Sequence, residues 1–435
     1  MSEKIVRVIG GGLAGCEAAY YLANNGFKVE LYEIKPQKYT PAHKSEYLGE
    51  LVCSNSLKSD DVYGNACGLL KQEMRLLGSM VIDCADKTKI PAGNALAVDR
   101  DAFAKLITQK IKEHKNIRVI NQEVTEIDYS VPTIVATGPL TTDALCEHIK
   151  SQTGAFYFFD AAAPIVTGES IDMDNAFISD RYGEAGVGDY INCPMDKQTY
   201  ESFYAELTTA KRAPLHDFEN TKVFEGCMPV EVMASRGKDT LRFGPLKPAG
   251  LTDPKTGRWP YACLQLRKEN ASGSMYNLVG FQTNLLFGEQ KRIFSMFPAL
   301  KNAEFVRYGV MHKNTFIDSP KSLDCYYKLK DKPFTYFAGQ ITGVEGYVES
   351  TASGLTAAIN LKRQLNGEPP IEWDNRTVLG ALAGYISTQN ANFQPMNANY
   401  GILAPVIMEK KNKDLKKLEM AKRSLAVIEQ IKSQL

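Results

Sequence analysis

The 435-residue sequence has almost no net charge, no close pair of cysteines and no long apolar run. Its 51 basic residues nearly cancel its 50 acidic ones, which excludes a whole-molecule field that would attract nucleic acid or an anionic membrane. No uncharged apolar run reaches the roughly 18 residues that a membrane span needs, and no basic segment with a cleavage site opens the chain. We therefore predict a soluble protein with no membrane partner and no export signal.

The nine cysteines are scattered, with no two closer than 14 positions. Neither a disulfide framework nor a Cys-x-x-Cys motif can be drawn through them, so the sequence predicts no metal site and favours a reducing cytoplasm. With 44% hydrophobic and 23% charged residues, the composition excludes disorder, collagen and coiled coil as whole-chain descriptions. At about 150 residues per domain, the length predicts two or three domains.

The opening segment has the clearest local pattern in the chain. Apolar runs and helical spacing predict a strand at 5–9, a helix at 13–25 and a second strand at 29–32. Gly26 follows the helical run and can cap the helix at its C-terminus. The order strand, helix, strand predicts the first unit of a parallel sheet in an α/β fold.

A glycine motif lies at the first turn of this unit. Gly10, Gly12 and Gly15 form GxGxxG between the first strand and the helix, and Glu33 ends the second strand. Such glycines let the backbone approach a pyrophosphate at a helix N-terminus, while the acid holds a ribose hydroxyl. No second motif of this kind follows a strand, so we predict one permanently held dinucleotide. The residues proposed to bind it here are Gly10, Gly11, Gly12, Leu13, Ala14, Gly15 and Glu33.

Two later segments predict returns to the same sheet. Residues 133–139 form an apolar strand with a glycine turn, and 334–365 form a strand, a glycine-rich loop and a long helix. We expect both to contact the cofactor, because open α/β folds bind ligands where strand ends meet. The alternative for the later segment is a closing βα unit without ligand contact. The proposed cofactor residues are Thr137, Gly138, Gly339, Gln340, Gly343 and Tyr347.

The middle of the chain lacks this βα rhythm and predicts an inserted second domain. It contains strand-like pieces at 176–179, 189–192 and 278–282 and a helix-like piece at 197–211. The predicted architecture is therefore a discontinuous Rossmann-type domain, residues 1–154 and 326–435, with an α+β insertion at 155–325. The final stretch, 409–435, predicts an amphipathic helix whose apolar side carries Leu415, Leu418, Leu425 and Ile428.

Two cysteines lie in segments that can support chemistry. Cys53 is in ELVCSNSLKSD, where hydroxyl and amide groups surround it and a following helix can lower the pKa of a thiol. Cys227 is in FEGCMPVEVM, after Gly226 and before Pro229, at a turn that can project a thiol into a cleft. Free cysteines are more often inert and buried, so on spacing alone both interpretations stay open.

The stretch 236–268 concentrates positive charge. It holds eight Lys and Arg against two Asp, with Phe243, Trp259 and Tyr261 interleaved. Cations that contact phosphates, beside aromatic rings on which bases stack, are what a single-stranded or looped RNA needs. The alternative is a solvated loop.

The residues also match a family pattern along nearly the whole chain. The matching segments include GGGLAGCEAAYYLA, CSNSLKS, PAGNALAVDRDAF, FEGCMPVEVMASRG, FGPLKPAGL, YGVMHKNTFI and AGQITGVEGYVESTASG. In sequence and order they resemble the folate- and FAD-dependent tRNA (uracil-5-)-methyltransferases. This family belongs to a larger flavoprotein group that also contains the tRNA-uridine carboxymethylaminomethyl-modifying flavoenzymes. CSNSL and FEGCMP separate the two families.

The resemblance implies an enzyme that holds FAD at the glycine turn and uses 5,10-methylenetetrahydrofolate and NAD(P)H as co-substrates. It implies transfer of a one-carbon unit to C5 of the T-loop uridine of tRNA, with reduction to a methyl group. The family pattern points to Cys227 as the thiol that adds to uracil C6 and to Cys53 as a thiol against the flavin. We expect the 155–325 domain to face the RNA. The oligomeric state stays open.

Three departures from the family pattern concern the RNA partner. Asn284 and Gly384 stand where we expect histidine in close relatives, and RYGEAGVGDY lacks an expected lysine. None of them lies in the FAD turn or beside either thiol, so they leave ribosomal RNA as the alternative partner. A small-molecule flavin oxidoreductase with an incidental basic stretch is a further alternative, as is an RNA-binding flavoprotein without turnover.

Overall fold

The computed structural model describes residues 5–40, 42–153, 155–161, 163–184, 186–213, 228–309, 311–390, 393–407 and 412–435. For residues 155–161 and 311–313 the description covers the backbone alone. Within these ranges the strands form two large sheets and two small ones, joined and covered by helices. None of the described helices combines the length and the apolar character that crossing a membrane requires.

Strands and helices alternate along the first third of the chain and cluster more irregularly afterwards. The strands are β1 (Ile5–Ile9), β2 (Lys28–Glu33), β3 (Ser56–Ser59), β4 (Lys89–Ile90), β5 (Ala95–Val98), β6 (Ile117–Asn121), β7 (Thr133–Val135), β8 (Ala155–Ala161), β9 (Ile165–Thr167), β10 (Phe177–Ile178), β11 (Tyr190–Met195), β12 (Ala262–Lys268), β13 (Met275–Leu278), β14 (Phe305–Arg307), β15 (Met311–Ile317) and β16 (Thr335–Phe337). The helices are α1 (Leu13–Asn24), α2 (Ala66–Leu76), α3 (Met80–Lys87), α4 (Arg100–Lys112), α5 (Asp143–Thr153), α6 (Lys197–Thr209), α7 (Val230–Ser235), α8 (Thr240–Phe243), α9 (Phe287–Phe294), α10 (Ser319–Ser322), α11 (Tyr347–Asn366), α12 (Val378–Ser387) and α13 (Lys413–Lys432).

The first sheet is parallel, with the strand order β16-β7-β1-β2-β6. In its register, Ile9 lies beside Tyr32 on one side and Val135 on the other, and Val135 lies beside Phe337. Four strands therefore end together at one carboxyl edge. Val6, Val8 and Ile9 of β1 and Ile134 and Val135 of β7 are buried and apolar, as expected where helices cover both faces of a parallel sheet.

Helix α1 starts at the glycine turn that follows β1. Its N-cap is Gly12, which makes no side-chain capping hydrogen bond, so no capping side chain uses the first N–H groups of the helix. Small residues let α1 pack closely against α11, where a Cβ on Gly354 would lie 2.3 Å from the carbonyl oxygen of Ala14. The sequence-based helix at 13–25 is correct to within one residue.

The second sheet is antiparallel, with the strand order β10-β11-β12-β13-β9-β14. Helix α6 packs beside it through Phe203, whose ring lies 5.1 Å from that of Phe297 and 6.2 Å from that of Phe281. The piece predicted as a strand at 278–282 ends instead at Leu278, because the chain turns at Gly280 with a φ of +77°. A parallel sheet with a separate α+β region confirms the predicted fold class.

A two-stranded ribbon of β8 and β15 connects the two large sheets along the chain. Phe316 and Ile317 of β15 are buried in the same apolar core as the parallel sheet, although both fall inside the predicted insertion. The predicted boundaries at 154 and 325 remain predictions.

The C-terminal helix α13 buries a different face from the one proposed from sequence. Its buried residues are Met420, Ala421, Ser424, Val427, Ile428 and Ile431. Of the proposed stripe only Ile428 is buried, and Leu415 is 46% exposed. Small residues lie on the buried face because α13 packs against α2, where the Ser424 hydroxyl donates a hydrogen bond to Glu73.

Candidate functional site

A cavity opens at the carboxyl edge of the parallel sheet, where β1, β2, β7 and β16 end. It encloses about 1120 Å³, counting the solvent at its mouth. Eleven of the thirteen residues that the sequence proposes for a cofactor line this cavity. They are Gly10, Gly11, Gly12, Leu13, Ala14, Glu33, Thr137, Gly138, Gly339, Gln340 and Tyr347. The topology thus brings segments from opposite ends of the chain to one place.

The first glycine turn is shaped by close backbone contacts. A Cβ on Gly10 would lie 2.4 Å from the carbonyl oxygen of Ala136, at the end of the neighbouring strand, and the φ of Gly10 is +106°. A Cβ on Gly12 would meet no atom within 4 Å. Gly10 therefore allows two strand ends to approach each other, whereas Gly12 keeps the helix N-terminus open towards the cavity.

Gly15 and Gly343, the other two proposed residues, do not line the cavity. A Cβ on Gly15 would lie 1.8 Å from the carbonyl oxygen of Gly10, so Gly15 permits the contact between α1 and the turn. Gly343 has a φ of +84°, and a Cβ there would lie 2.5 Å from the ring of Phe393. Both glycines shape the walls that support the cavity.

Glu33 closes the adenosine side of the predicted site. One carboxylate oxygen accepts a hydrogen bond from the Gly11 N–H at 2.7 Å, and the other accepts one from the Lys35 N–H at 3.0 Å. The side chain is buried and lines the cavity. Each carboxylate oxygen can accept a second hydrogen bond, so this arrangement leaves acceptors for a ribose hydroxyl.

Sequence reasoning missed the segment after β2, which supplies another wall of the cavity. Lys35, Thr40, His43 and Glu50 line it there. Lys35 is buried, and its ammonium pairs with Glu50 at 3.3 Å and donates to the Tyr47 carbonyl at 2.5 Å. Burial, together with the charge of Lys35, lowers the pKa of His43, so its ring is neutral at neutral pH. A lysine and a glutamate without periodic neighbours carry no signal in a sequence.

Cys53 lies beside the cavity, against Tyr347, the first residue of α11 and one of the residues that line it. Its N–H donates to the Tyr347 hydroxyl oxygen at 2.9 Å, and its Sγ lies 3.0 Å from the same oxygen. Burial, then the neighbouring Cys53, raises the pKa of Tyr347 well above its usual range, so the hydroxyl keeps its proton at neutral pH. The oxygen that accepts from the N–H can therefore donate that proton to Sγ.

The segment after Cys53 joins the cavity to the antiparallel sheet. Asn55 is fully buried, and its amide donates to the carbonyls of Val98 and Lys268 at 3.0 and 2.9 Å. Its oxygen accepts from Arg267 Nε at 3.1 Å. The CSNSL segment, singled out by sequence, is therefore a hydrogen-bonded junction between the small three-stranded sheet and the antiparallel sheet.

Cys227 lies outside the described residues. The description resumes at Met228, which is buried, and α7 begins two residues later. Glu231 on α7 accepts hydrogen bonds from the Asn284 N–H at 2.7 Å and the Thr283 hydroxyl at 2.8 Å. This contact fixes the helix that directly follows the Cys227 segment. The side-chain amide of Asn284, one of the departures from the family pattern, donates a hydrogen bond to the Ala213 carbonyl at 3.1 Å, which gives this side chain a structural role.

The basic stretch 236–268 does not form one continuous cationic surface. Arg267 is 7% exposed and belongs to the junction at Asn55. The Arg242 guanidinium stacks 3.7 Å from the centre of the Tyr261 ring, and it also pairs with the neighbouring carboxylate at 2.8 Å. Lys238 forms an ion pair at 2.7 Å with a glutamate of α6. These three cations are engaged within the protein.

The remaining surface of this stretch is aromatic as well as basic. Phe243 is 83% exposed and Trp259 is 55% exposed. Tyr182, at 75% exposure and a φ of +62°, lies against Gly250 of this stretch. Lys247 and Arg258 are exposed, and within the described ranges neither is ion-paired. An exposed tyrosine in the left-handed region is rare and is a pointer to function.

The parallel sheet, the glycine turn, the buried acid at the end of β2 and the cavity define a dinucleotide-binding protein of the Rossmann class. Residues 5–369 match a family model described as "Glucose inhibited division protein A". The chain is 56% identical over 428 residues to a methylenetetrahydrofolate–tRNA-(uracil-5-)-methyltransferase TrmFO of Acetivibrio thermocellus, covering 98% of each chain. It is also 56% identical to the Natranaerobius thermophilus protein of that name, covering 97% of this chain and 98% of the other.

Two further comparisons are with solved structures of Aquifex aeolicus GidA. The form I crystal structure matches with a TM-score of 0.71 at 16% identity, covering 99% of this chain and 76% of the other. The form II structure gives 0.69 at 15% identity, covering 98% and 73%. This likeness concerns the fold alone. By its sequence, the chain belongs to the methylenetetrahydrofolate–tRNA-(uracil-5-)-methyltransferase family, within the glucose inhibited division protein A group.

Proposed function

We propose that this chain transfers a one-carbon unit from 5,10-methylenetetrahydrofolate to C5 of the T-loop uridine of tRNA and reduces it to a methyl group, giving 5-methyluridine. NAD(P)H supplies the two electrons through FAD. The observation that carries the proposal is 56% identity over 98% of the chain to a relative of that activity. The dinucleotide cavity, with a thiol beside it, supports it.

The cavity residues fit FAD. The open space beyond Gly12 and the uncapped N-terminus of α1 offer N–H groups to a diphosphate. Glu33 offers carboxylate oxygens to a ribose at the end of β2. Gly339, Gln340 and Tyr347 follow β16, which lies on the other side of β1 at the same edge of the sheet. When bound, FAD supplies the reducing equivalents that turn the transferred carbon into a methyl group.

The protein's part in carbon transfer begins with a thiol. Uracil C5 is a weak nucleophile until a thiolate adds to C6, which converts the ring to an enolate. We assign this addition to Cys227. C5 then forms a bond to the methylene carbon of the folate as one of the two C–N bonds of that carbon breaks. A base removes the C5 proton, and the second C–N bond breaks to release tetrahydrofolate. Two-electron reduction of the carbon to a methyl group and loss of the thiolate from C6 then restore the ring. The target base is stacked in folded RNA, so it must be extruded to reach the thiol.

Cys53 takes a different role in this proposal. Tyr347 holds its backbone and its Sγ beside the cavity, at 2.9 and 3.0 Å. This contact fixes the thiol where the redox-active end of the cofactor is expected, and it links the thiol to a hydroxyl proton. Cys53 therefore shapes that end of the site and supports proton transfer there.

The first experiment tests the activity and its partner. The purified protein should be yellow and should release flavin on denaturation. With methylenetetrahydrofolate and NADPH it should form 5-methyluridine in unmodified tRNA and not in ribosomal RNA. If 5-methyluridine formed in ribosomal RNA alone, the RNA substrate would be ribosomal RNA, and the proposed chemistry would stand. NADPH oxidation without 5-methyluridine in either RNA would contradict the proposal.

A second experiment tests the nucleophile. RNA with 5-fluorouridine at the target position should form a stable covalent complex with the protein, because fluorine blocks the loss of the C5 proton. Cys227→Ala should abolish this complex, whereas Cys53→Ala should keep it and alter the flavin spectrum. Trapping by Cys227→Ala at the wild-type level would show that another residue adds to C6.

A further inference from the structure

Phe243 is an exposed aromatic side chain that packs on no other ring within the described ranges. It ends α8, and its side chain is 83% exposed. No aromatic ring contact involves it among the described residues. Phe287 provides a contrast, because it is 54% exposed but stacks on Tyr308 with ring centres 4.9 Å apart. A large ring left in water forgoes the free energy that burial would supply, so its position calls for a function.

Phe243 forms one wall of an open pocket. Met228 and Met233 provide apolar surface in this pocket, and Arg236, Lys238 and Asp239 provide charged rims. The pocket encloses about 1120 Å³, including open solvent. Lys238 and Asp239 are already paired with Glu201 and Arg242, so the pocket offers chiefly its apolar surface, which suits the face of a flat heteroaromatic ring.

The segment that carries Phe243 is held in place by its neighbours. Its neighbour Arg242 stacks on Tyr261 and donates from Nε to the Tyr261 carbonyl at 2.9 Å. The buried Tyr200 donates to the Lys238 carbonyl at 2.5 Å on the other side of α8. The ring is therefore presented by a fixed segment, and a ligand that stacks on it does not need to order that segment first.

The pocket adjoins the proposed nucleophile in the sequence. Met228 lines the pocket and is the residue that directly follows Cys227. An RNA whose target base reaches Cys227 therefore brings its adjoining nucleotides towards this part of the surface. An extruded base leaves its neighbours partly unstacked, and each exposes a face that an aromatic ring can cover.

We propose that the Phe243 pocket binds one unpaired nucleobase of the RNA, adjacent in sequence to the methylated uridine, with Phe243 as the stacking face. The proposal rests on the function proposed above and adds a recognition subsite to it. Stacking is tolerant of base identity, so this subsite strengthens binding and fixes the target base over the thiol without reading a sequence.

The test compares the affinity of the FAD-loaded enzyme for unmodified tRNA, measured by fluorescence anisotropy at fixed salt. Phe243→Ala should raise the Kd about 5- to 150-fold, the range that corresponds to loss of one base–aromatic stack. Phe243→Tyr and Phe243→Trp should restore binding, because both keep a ring. The melting temperature and the NADPH oxidation rate should not change, since the ring is 83% exposed and lies outside the cavity.

Phe287→Ala is the matched control, an exposed phenylalanine whose removal should leave RNA affinity unchanged. The inference fails if Phe243→Ala binds RNA as tightly as the wild type, or if Phe243→Trp is as weak as Phe243→Ala. The function proposed above fails by a separate result, namely no 5-methyluridine from the wild-type enzyme. If the wild-type enzyme methylates RNA and Phe243→Ala binds RNA as tightly as the wild type, only the proposed subsite is contradicted and the proposed function stands.

Discussion

The cofactor cavity and the Phe243 pocket are built from different parts of the polypeptide. Backbone forms one part of the cavity, through strand ends, glycine turns and a helix N-terminus, and the side chains of Glu33 and of the segment after β2 form another wall. Side chains make the pocket, in which a phenylalanine, two methionines and three charged residues lie on or beside the short helices α7 and α8. The first surface suits a ligand with a diphosphate that accepts N–H groups. The second suits stacked bases and phosphates.

This contrast shows how each region responds to change. A backbone site depends on distances of close approach, so one added carbon atom can disrupt both fold and binding. A side-chain site on the surface can be stripped of its ligand-binding groups while the fold survives. Substitutions in the cavity should therefore affect stability and function together, and substitutions around Phe243 should separate them.

The largest effect is expected at Gly15. A Cβ there would lie 1.8 Å from the carbonyl oxygen of Gly10 and 3.0 Å from its carbonyl carbon, so backbone would have to shift to admit it. Gly15→Ala should lower the free energy of unfolding by about 3 kcal/mol or more and should prevent flavin retention. Urea unfolding, with and without added FAD, measures both effects.

Gly12→Ala is the matched control for that substitution. Its φ is −74°, and a Cβ would meet no atom within 4 Å, so the fold can accept it. The methyl group would project from the helix N-terminus beside the cavity. We expect nearly wild-type stability without FAD and weaker retention of flavin. Equal destabilisation of both variants would contradict the distinction between the closing glycine and the open one.

Both apolar cores of the protein also contain a buried carboxylate that accepts hydrogen bonds from backbone N–H groups of a distant segment. Glu73 accepts hydrogen bonds from the N–H groups of Val378 and Leu379 at 2.7 and 2.9 Å, and Glu231 holds the Thr283–Asn284 segment. Burial raises the pKa of Glu73 from 4.5 to about 7 and also raises that of Glu231. The same device therefore ties together distant segments in each core, at a cost that varies with pH.

The second prediction uses this pH dependence. Folded Glu73 keeps its proton up to about pH 7, whereas the unfolded residue loses it near 4.5, so between these values the folded state binds more protons. Its contribution to stability is complete below pH 4.5 and is lost as the pH rises towards 7. The rise in pKa corresponds to roughly 3 kcal/mol. The advantage of wild type over Glu73→Gln should shrink by about that amount between roughly pH 4.5 and pH 7.5.

Urea unfolding at several pH values tests this linkage. Glu429→Gln, on the exposed side of α13, is the control and should leave the pH profile unchanged. Parallel profiles for wild type and Glu73→Gln would mean that the carboxylate is ionised in the folded state and is stabilised by its N–H donors alone.

The parallel sheet and its glycine turn were predictable because their signals are local. A strand, GxGxxG and an acid at the next strand end lie within Ile5–Glu33, and the same residues specify the ladder and the helix N-terminus. The late strand and helix at Thr335–Phe337 and Tyr347–Asn366 were found by the same periodicity. Such elements require no knowledge of distant contacts.

The rest of the site depends on contacts between distant residues. Tyr347 meets Cys53 across 294 positions, and Asn55 meets Arg267 across 212. The strands β3, β4 and β5 have only two to four residues each, which is too short for an alternation of apolar and polar residues to be recognised. The apolar stripe of α13 was misplaced because its partner is a buried glutamate, which selects Ala421 and Ser424 over leucine. Composition also overstated the basic surface, since it cannot tell a buried arginine from an exposed one.

The smallest predicted effect concerns Lys247 and Arg258, two exposed cations of the basic stretch 236–268. If Lys247 and Arg258 contact phosphates, each contact releases counterions, and log K for RNA falls with log salt concentration in proportion. Replacing both by glutamine should reduce the magnitude of that slope by about 0.7 to 0.9 for each phosphate that is no longer neutralised. Methylation at saturating RNA and NADPH oxidation should stay at the wild-type level.

Arg242→Gln separates contact with RNA from support of the protein. Because Arg242 stacks on Tyr261 and pairs with Asp239, its loss should lower stability and leave the salt slope nearly unchanged. A flatter slope in Arg242→Gln alone would mean that RNA displaces these internal partners. If the salt dependence of RNA binding were unchanged in the Lys247 and Arg258 double variant, these two side chains would face solvent without contacting RNA. The contribution of the pocket to RNA binding would then come from stacking on Phe243, and that contribution should be nearly independent of salt concentration.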